Sequence, residues 1–186
     1  TKTPSPSVSP KASRKVFTYN GTTGDVFPTS TQTTLLDRST GGASNYPVSG
    51  ADNANYIKGD QSKEGSNFGQ LRVRDSLLGD IVNSSPVYVE DTKTVYVGAN
   101  DGMLHAFDSE TGVERFAYVP NLLNFSNLAL LSRGDYTHKW SVDGPQVVTN
   151  RKQTLNENWL VGAVGRGGKG LYGLNVTNPN AFWLLT

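Results

Sequence analysis

Short runs of alternating apolar and polar residues, broken by turns rich in Gly, Asn and Asp, dominate this chain. Residues 94–112 (TVYVGANDGMLHAFDSETG) read as an apolar strand, a Gly-containing turn, a second strand and a polar turn. The period of two places Leu104 with Ala106 on one face and His105 with Phe107 on the other. Residues 87–89 and 95–98 predict a hairpin around residues 90–93, and residues 115–119 predict a return strand. Four strands in so short a span match one blade of a radially repeated β architecture. Residues 15–24 (KVFTYNGTTG) and 170–179 (GLYGLNVTNP) echo the second half of that unit: an alternating strand, an Asn or Asp, then a Thr-containing turn. Tyr19, Phe107 and Leu174 hold matching positions. Their spacing exceeds a bare blade of about 40–50 residues, so each repeat carries an insertion, and insertions map to loops on one face.

Elsewhere the pattern is weaker. Residues 16–19 form a short strand, Asn20-Gly21 is a hairpin signal, and residues 26–27 start a brief return that Pro28 marks as an edge. Residues 29–69 are polar and weakly periodic, and read as a long functional or mobile loop. Residues 72–86 (RVRDSLLGDIVNSSP) predict an irregular lead into strands, and residues 121–132 supply the one helix candidate. Asp143-Gly144-Pro145 repeats the position of Ser84-Ser85-Pro86 ahead of a strand at residues 146–149. Val-Gly-Ala recurs at Val97 and Val161. Residues 1–13 are a Pro/Ser-rich linker. The apolar run at residues 182–185 falls where a blade's fourth strand belongs. The expected fold is therefore all-β: a partial β-propeller of antiparallel four-stranded blades with long loop insertions and a short helix. The domain spans residues 14–186. About three blades cannot close a ring, so the parent protein is expected to continue past Thr186.

Composition narrows function more than fold. With 17 basic against 16 acidic residues the net charge is +1, which gives no electrostatic footprint for nucleic acid. No apolar run is long enough to span a bilayer as a helix. The absence of Cys removes disulfides, Cys-based zinc sites and a thiol nucleophile.

Few residues invite a chemical role. His105 and His138 lack a catalytic partner pattern, and His105 reads as a packed, hydrogen-bonded strand residue. Asn100-Asp101-Gly102 reads as a structural hairpin turn with Gly at positive φ. Asp75, Asp80 and Asp143 read as turn or cap residues, and Trp140, Trp159 and Trp183 as packing aromatics. Residues 165–170 (GRGGKG) miss the phosphate-loop spacing, because Leu171 stands where Lys is required. Two tripeptides, Arg133-Gly134-Asp135 and Lys58-Gly59-Asp60, are candidate receptor-binding loops that present a cation and a carboxylate across a Gly turn. No catalytic and no metal-ligating residue is assigned.

Several runs carry a specific resemblance. Residues 56–60 (YIKGD), 71–74 (LRVR), 78–89 (LGDIVNSSPVYV), 95–108 (VYVGANDGMLHAFD), 135–138 (DYTH), 142–145 (VDGP) and 167–172 (GGKGLY) resemble the C-terminal β-propeller of the PilY/PilC family. These are large type IV pilus biogenesis factors and pilus-tip adhesins of Gram-negative bacteria. The resemblance implies a non-enzymatic role in pilus assembly, adhesion and twitching motility. It implies minor pilins and the pilus-tip complex as partners, a host-cell receptor as a further one, and a place at the cell surface, pilus tip or outer membrane. Lys58-Gly59-Asp60 stands where the family often has RGD. The family's propeller often carries a calcium loop, which needs several oxygen ligands around a tight turn. No such run occurs here, so calcium is expected only elsewhere in the parent, and no cofactor within these residues. The strand–turn repeats also resemble quinoprotein dehydrogenase propellers. Against that alternative stands the missing Cys pair, and a pure assembly scaffold is a third reading.

Overall fold

A computed structural model of the chain describes residues 14–40, 46–65 and 71–182. The expected linker at residues 1–13 and the apolar residues 183–185 lie outside the described residues, as do parts of the 29–69 segment. Among the described residues the alternating runs form two sheets. Strands β3 (Val87–Val89), β4 (Thr94–Ala99), β5 (Met103–Asp108) and β6 (Glu114–Val119) are joined in sequence as an antiparallel meander, as expected for one blade. The second sheet is β7 (Gln146–Val148), β8 (Trp159–Ala163) and β9 (Leu171–Asn175), again antiparallel. The two sheets repeat one plan. Pro86 and Pro145 immediately precede β3 and β7, and the two Val-Gly-Ala runs fall on the second strands, β4 and β8.

The recurring strand–Asx–Thr unit has a plain physical basis. At the end of β5 the Asp108 carboxylate accepts from the amides of Glu110 and Thr111 (both 2.9 Å). Asn20, after β1 (Val16–Tyr19), does the same for Thr22 and Thr23 (2.9 and 3.0 Å), and Asn175 accepts from the Thr177 amide at 3.1 Å. A short side-chain acceptor thus closes each turn. Three such units do not make three sheets, however. β1 and its antiparallel partner β2 (Gly24–Val26) join the meander, giving the order β2-β1-β6-β5-β4-β3. The β1–β6 pairing is parallel, Val16 opposite Ala117, and a parallel neighbour demands a long crossover. Here the chain between the two strands includes β2 to β5, and the connection from β2 at one sheet edge to β3 at the other carries the helices.

That β2–β3 connection corrects the expectation of a long functional or mobile loop over residues 29–69. It contains two helices, α1 (Ser30–Leu36) and α2 (Gly50–Ile57), packed with α3 (Phe125–Ala129), which lies in the expected helical stretch. Thr29 and Gln32 form a reciprocal capping box on α1, and the Ser49 hydroxyl caps α2 through Asp52 N. The apolar period is blurred because polar side chains occupy core positions. Gln32 is buried and donates to Thr18 Oγ1 at 2.7 Å. Asn53, fully buried, donates to the carbonyls of Leu36 (2.8 Å) and Ala129 (2.9 Å), tying the ends of α1 and α3 together. The Asn53 amide nitrogen places both of its hydrogens on carbonyls, the condition under which a buried donor is tolerated in a core.

Between the sheets, Phe116 stacks on Phe182 with ring centroids 4.2 Å apart, Phe17 lies 5.5 Å from Phe182, and Tyr118 meets Tyr172 at 5.7 Å. Each buried aromatic contributes about 1.5–3 kcal/mol through area alone. Asn53→Ala leaves the Leu36 carbonyl without this donor. It is expected to cost about 1–3 kcal/mol, seen as a lower urea midpoint at unchanged slope.

Candidate functional site

The polar residues of the sequence runs converge at one end of the meander, around a buried chain of charges. His105 is fully buried on β5. Its Nε2 lies 3.1 Å from both Asp101 carboxylate oxygens, and its Nδ1 lies 2.7 Å from Glu114 Oε1. Arg14, just ahead of β1, grips Glu114 from the other side through Nε (2.6 Å) and Nη2 (2.9 Å). The Arg14 and Glu114 side chains are 0% and 1% exposed. Asp101 also accepts from the amides of Gly79 (2.9 Å) and Met103 (3.1 Å).

A β-bulge makes this arrangement. His105 pairs with Ala117 and Ala106 with Phe116, but the next pair is Phe107 with Glu114. Regular pairing would set Arg115 opposite Phe107. The extra residue instead turns Glu114 to the His105 side and sends Arg115 away, where it bonds Asp108 at 2.6 Å. Burial opposes a charge on His105, but the Asp101 and Glu114 carboxylates outweigh it and push its pKa up to about 9. Burial likewise works against ionisation of Asp101 and Glu114, yet His105 and Arg14 hold both below the usual carboxylate range. Two cations thus neutralise two anions, the condition under which charges survive burial.

A second polar cluster staples the sheets together. Asp143 accepts from Asn83 N (3.1 Å) and Asn83 Nδ2 (2.6 Å). Asn100 Nδ2 donates to Asp80 at 3.1 Å, and its Oδ1 accepts from Ser141 N at 2.9 Å. Ser84 Oγ accepts from Gly98 N (2.8 Å) and donates to Gln146 Oε1 (3.0 Å). His138 bonds Asp80 at 2.8 Å at the surface, beside a cavity of about 340 Å³ lined by Arg72, Asp75, Tyr136 and His138. A larger cleft of about 690 Å³ separates the β1–β2 hairpin from β9, between Tyr19, Val26, Trp159 and Leu171. Among the described residues no group of three or more His, Asp and Glu is placed to hold a metal ion.

The sequence-predicted residues fall as follows. Asn100, Asp101 and Gly102 form the β4–β5 turn, with Gly102 at φ +96°. Lys58-Gly59-Asp60 closes α2. Gly59 has φ +101°, which favours glycine, and a Cβ there would lie 3.6 Å from Arg14 Nη1, so this turn covers the buried charges. The Asp60 carboxylate accepts from Ser62 N at 3.0 Å. In Arg133-Gly134-Asp135 the cation and carboxylate bind each other through two bonds of 2.7 and 2.6 Å. Residues 165–167 form a single 3₁₀ turn leading to β9. Trp140 lies against His138 and beneath Arg166 (4.6 and 4.9 Å), while Trp159 is partly exposed and donates to Glu157 at 2.7 Å. Trp183 lies outside the described residues. Sequence reasoning missed Arg14 and Glu114. The available signal was the oppositely charged pair Glu114-Arg115 ahead of the apolar run at residues 116–119.

The buried charges fix a pH dependence. His105 binds its proton more tightly folded (about 9) than unfolded, where about 6.5 is usual. Its contribution is therefore complete below pH 6.5 or so and is lost as pH rises toward 9, at up to about 1.4 kcal/mol per pH unit. The Asp101 and Glu114 contributions run the other way, present above the ordinary carboxylate range and lost on acidification. Urea unfolding across pH 5–9.5 is expected to show stability falling at the alkaline end. Glu114→Gln is expected to lower stability by about 3–5 kcal/mol at neutral pH and to flatten that alkaline limb.

Residues 90–185 match the family model described as the PilY1 beta-propeller domain. A type IV pilus biogenesis factor PilY1 homolog of Xylella fastidiosa (strain Temecula1) is 40% identical over 165 residues, covering 73% of this chain and 13% of that protein. Type IV pilus biogenesis factor PilY1 of Pseudomonas aeruginosa strain PAK is 38% identical over 169 residues, covering 73% of this chain and 14% of the relative. PilY1 of strain UCBPP-PA14 is 32% identical over 204 residues, covering 92% and 16%. The chain thus spans a small part of the length of the curated relatives it matches. No solved structure matches it. With the blade-like meander, the repeated plan of the two sheets and these matches together, the chain belongs to the PilY1 family of type IV pilus biogenesis factors.

Proposed function

We propose that this chain is a non-enzymatic module of type IV pilus assembly and surface attachment. It works at the cell surface of a Gram-negative bacterium, at or near the pilus tip, where it engages minor pilins and supports adhesion and twitching motility. The observation that carries this reading is the use of the buried ionisable groups. Arg14, Asp101, His105 and Glu114 neutralise one another, and Asp143 is bound by Asn83. Their geometry holds strands and turns in place, which supports a role exercised by loops on a rigid platform. The proposal includes no metal or cofactor among these residues.

The two tripeptides bear on how attachment works. A receptor that reads Arg-Gly-Asp needs the cation and carboxylate apart, and the Arg133–Asp135 pair is closed. The Lys58–Asp60 turn serves as the cap of α2 over Arg14. Adhesion is therefore assigned to other loops. The test is complementation of a strain lacking the gene, reading sheared surface pili and twitching zones. The wild-type gene is expected to restore both; failure to restore pili would overturn the reading. Asp60→Ala and Asp135→Ala are expected to bind purified minor pilins undiminished, by biolayer interferometry. Added pyrroloquinoline quinone and calcium are expected to give no dye reduction, and reduction above the protein-free control would favour the dehydrogenase alternative.

A further inference from the structure

The β7–β8 connection carries a residue that its own backbone disfavours. Leu155 has φ +50° and is followed by Asn156 at φ +72°. The left-handed region penalises any residue with a Cβ, Asn less than others. Among the described residues nothing covers Leu155 in return, and it is 93% exposed. Single exposed leucines are ordinary, but one held in a strained conformation at a loop tip is not.

The loop beneath it is firmly built. Asn156 N donates to Arg151 O at 2.9 Å, Thr154 Oγ1 to Glu157 O at 2.6 Å, and Asn150 Oδ1 accepts from Lys152 N and Gln153 N at 3.1 Å. Its base is tied to the β3–β4 connection, where Asp91 accepts from Arg151 N (3.1 Å) and Asn158 Nδ2 (2.9 Å). Arg151 Nη2 reaches Thr177 O beyond β9 at 3.1 Å. The tip is thus a preformed apolar knob, and preorganisation lowers the entropy cost of binding. Around it stand exposed Lys152, Gln153, Asn156 and Glu157, polar groups of both signs. One apolar side chain within a mixed polar rim fits a protein socket and offers too little apolar surface for a bilayer.

We propose that Leu155 is an anchor which this loop inserts into an apolar socket on a partner protein of the pilus. The proposal rests on the pilus-assembly reading above and names a contact for it. The test uses the full-length protein as its host strain makes it, with purified minor pilins of that strain as the probe. Leu155→Gly removes both the side chain and the strain. It is expected to weaken binding at least tenfold while raising the temperature of the transition in which this propeller melts. Leu155→Ala keeps the Cβ, and is expected to weaken binding without raising the melting temperature. Equal binding by wild type and both variants would overturn the anchor alone. A lower melting temperature for Leu155→Ala would also overturn it, by showing Leu155 packed against the protein's own further residues. Absence of binding by the wild type would overturn the pilus-assembly reading, and this proposal with it.

Discussion

Two cations and two carboxylates, removed from water together, hold the first hairpin against the rest of the chain. Arg14 reaches Glu114, Glu114 reaches His105, and His105 reaches Asp101. Each contact fastens a different piece of backbone. Arg14 brings β1 alongside β6, where Ala117 N bonds Lys15 O at 2.9 Å. Asp101 seats the β4–β5 turn and catches the irregular segment at Gly79. The Lys58–Asp60 turn closes over Arg14. Removing one partner leaves the others charged in a low-dielectric interior, so the arrangement stands or falls as a unit.

From that fixed point the functional surface follows. The first sheet carries the second through side-chain staples rather than through shared strands: Ser84, Gln146, Asn83 and Asp143 bridge them. The connections around Asp91 and residues 149–158 are joined in the same way. Loops mounted on such a platform keep their shape, which suits a protein that works by contact. The Arg14–Glu114–His105–Asp101 charges are neutralised among themselves, and buried Asp143 is held by hydrogen bonds from Asn83.

Much of this was legible in the sequence, for reasons that also mark its limits. The meander from β3 to β6 and the paired plan of the two sheets followed from period-two alternation and from Pro and Val-Gly-Ala at matching places. The recurring Asx turns were visible because a single side chain closes each one. The helices over residues 30–57 were obscured because Gln32 and Asn53 sit in the core as hydrogen-bonding residues and break the apolar period. The Thr29–Gln32 capping box was the readable sign. The charge network was hidden more deeply. Arg14 is far from Glu114 in sequence, and alternation alone would have put Arg115 in the place that the bulge gives to Glu114. The repeat of Asn20 with Asp108 suggested separate blades, but an unpaired strand edge takes whichever partner a nearby anchor supplies, and Arg14 supplied β6.

The protonation state of His105 tests this account most directly. Nitrogen-detected NMR of the imidazole, followed from pH 5 to 10, reads it without perturbing the fold. The account requires both ring nitrogens to carry protons at pH 7.5 and a titration midpoint about 9. A neutral imidazole at pH 7.5, titrating about 6.5 or below as an isolated histidine would, would contradict it.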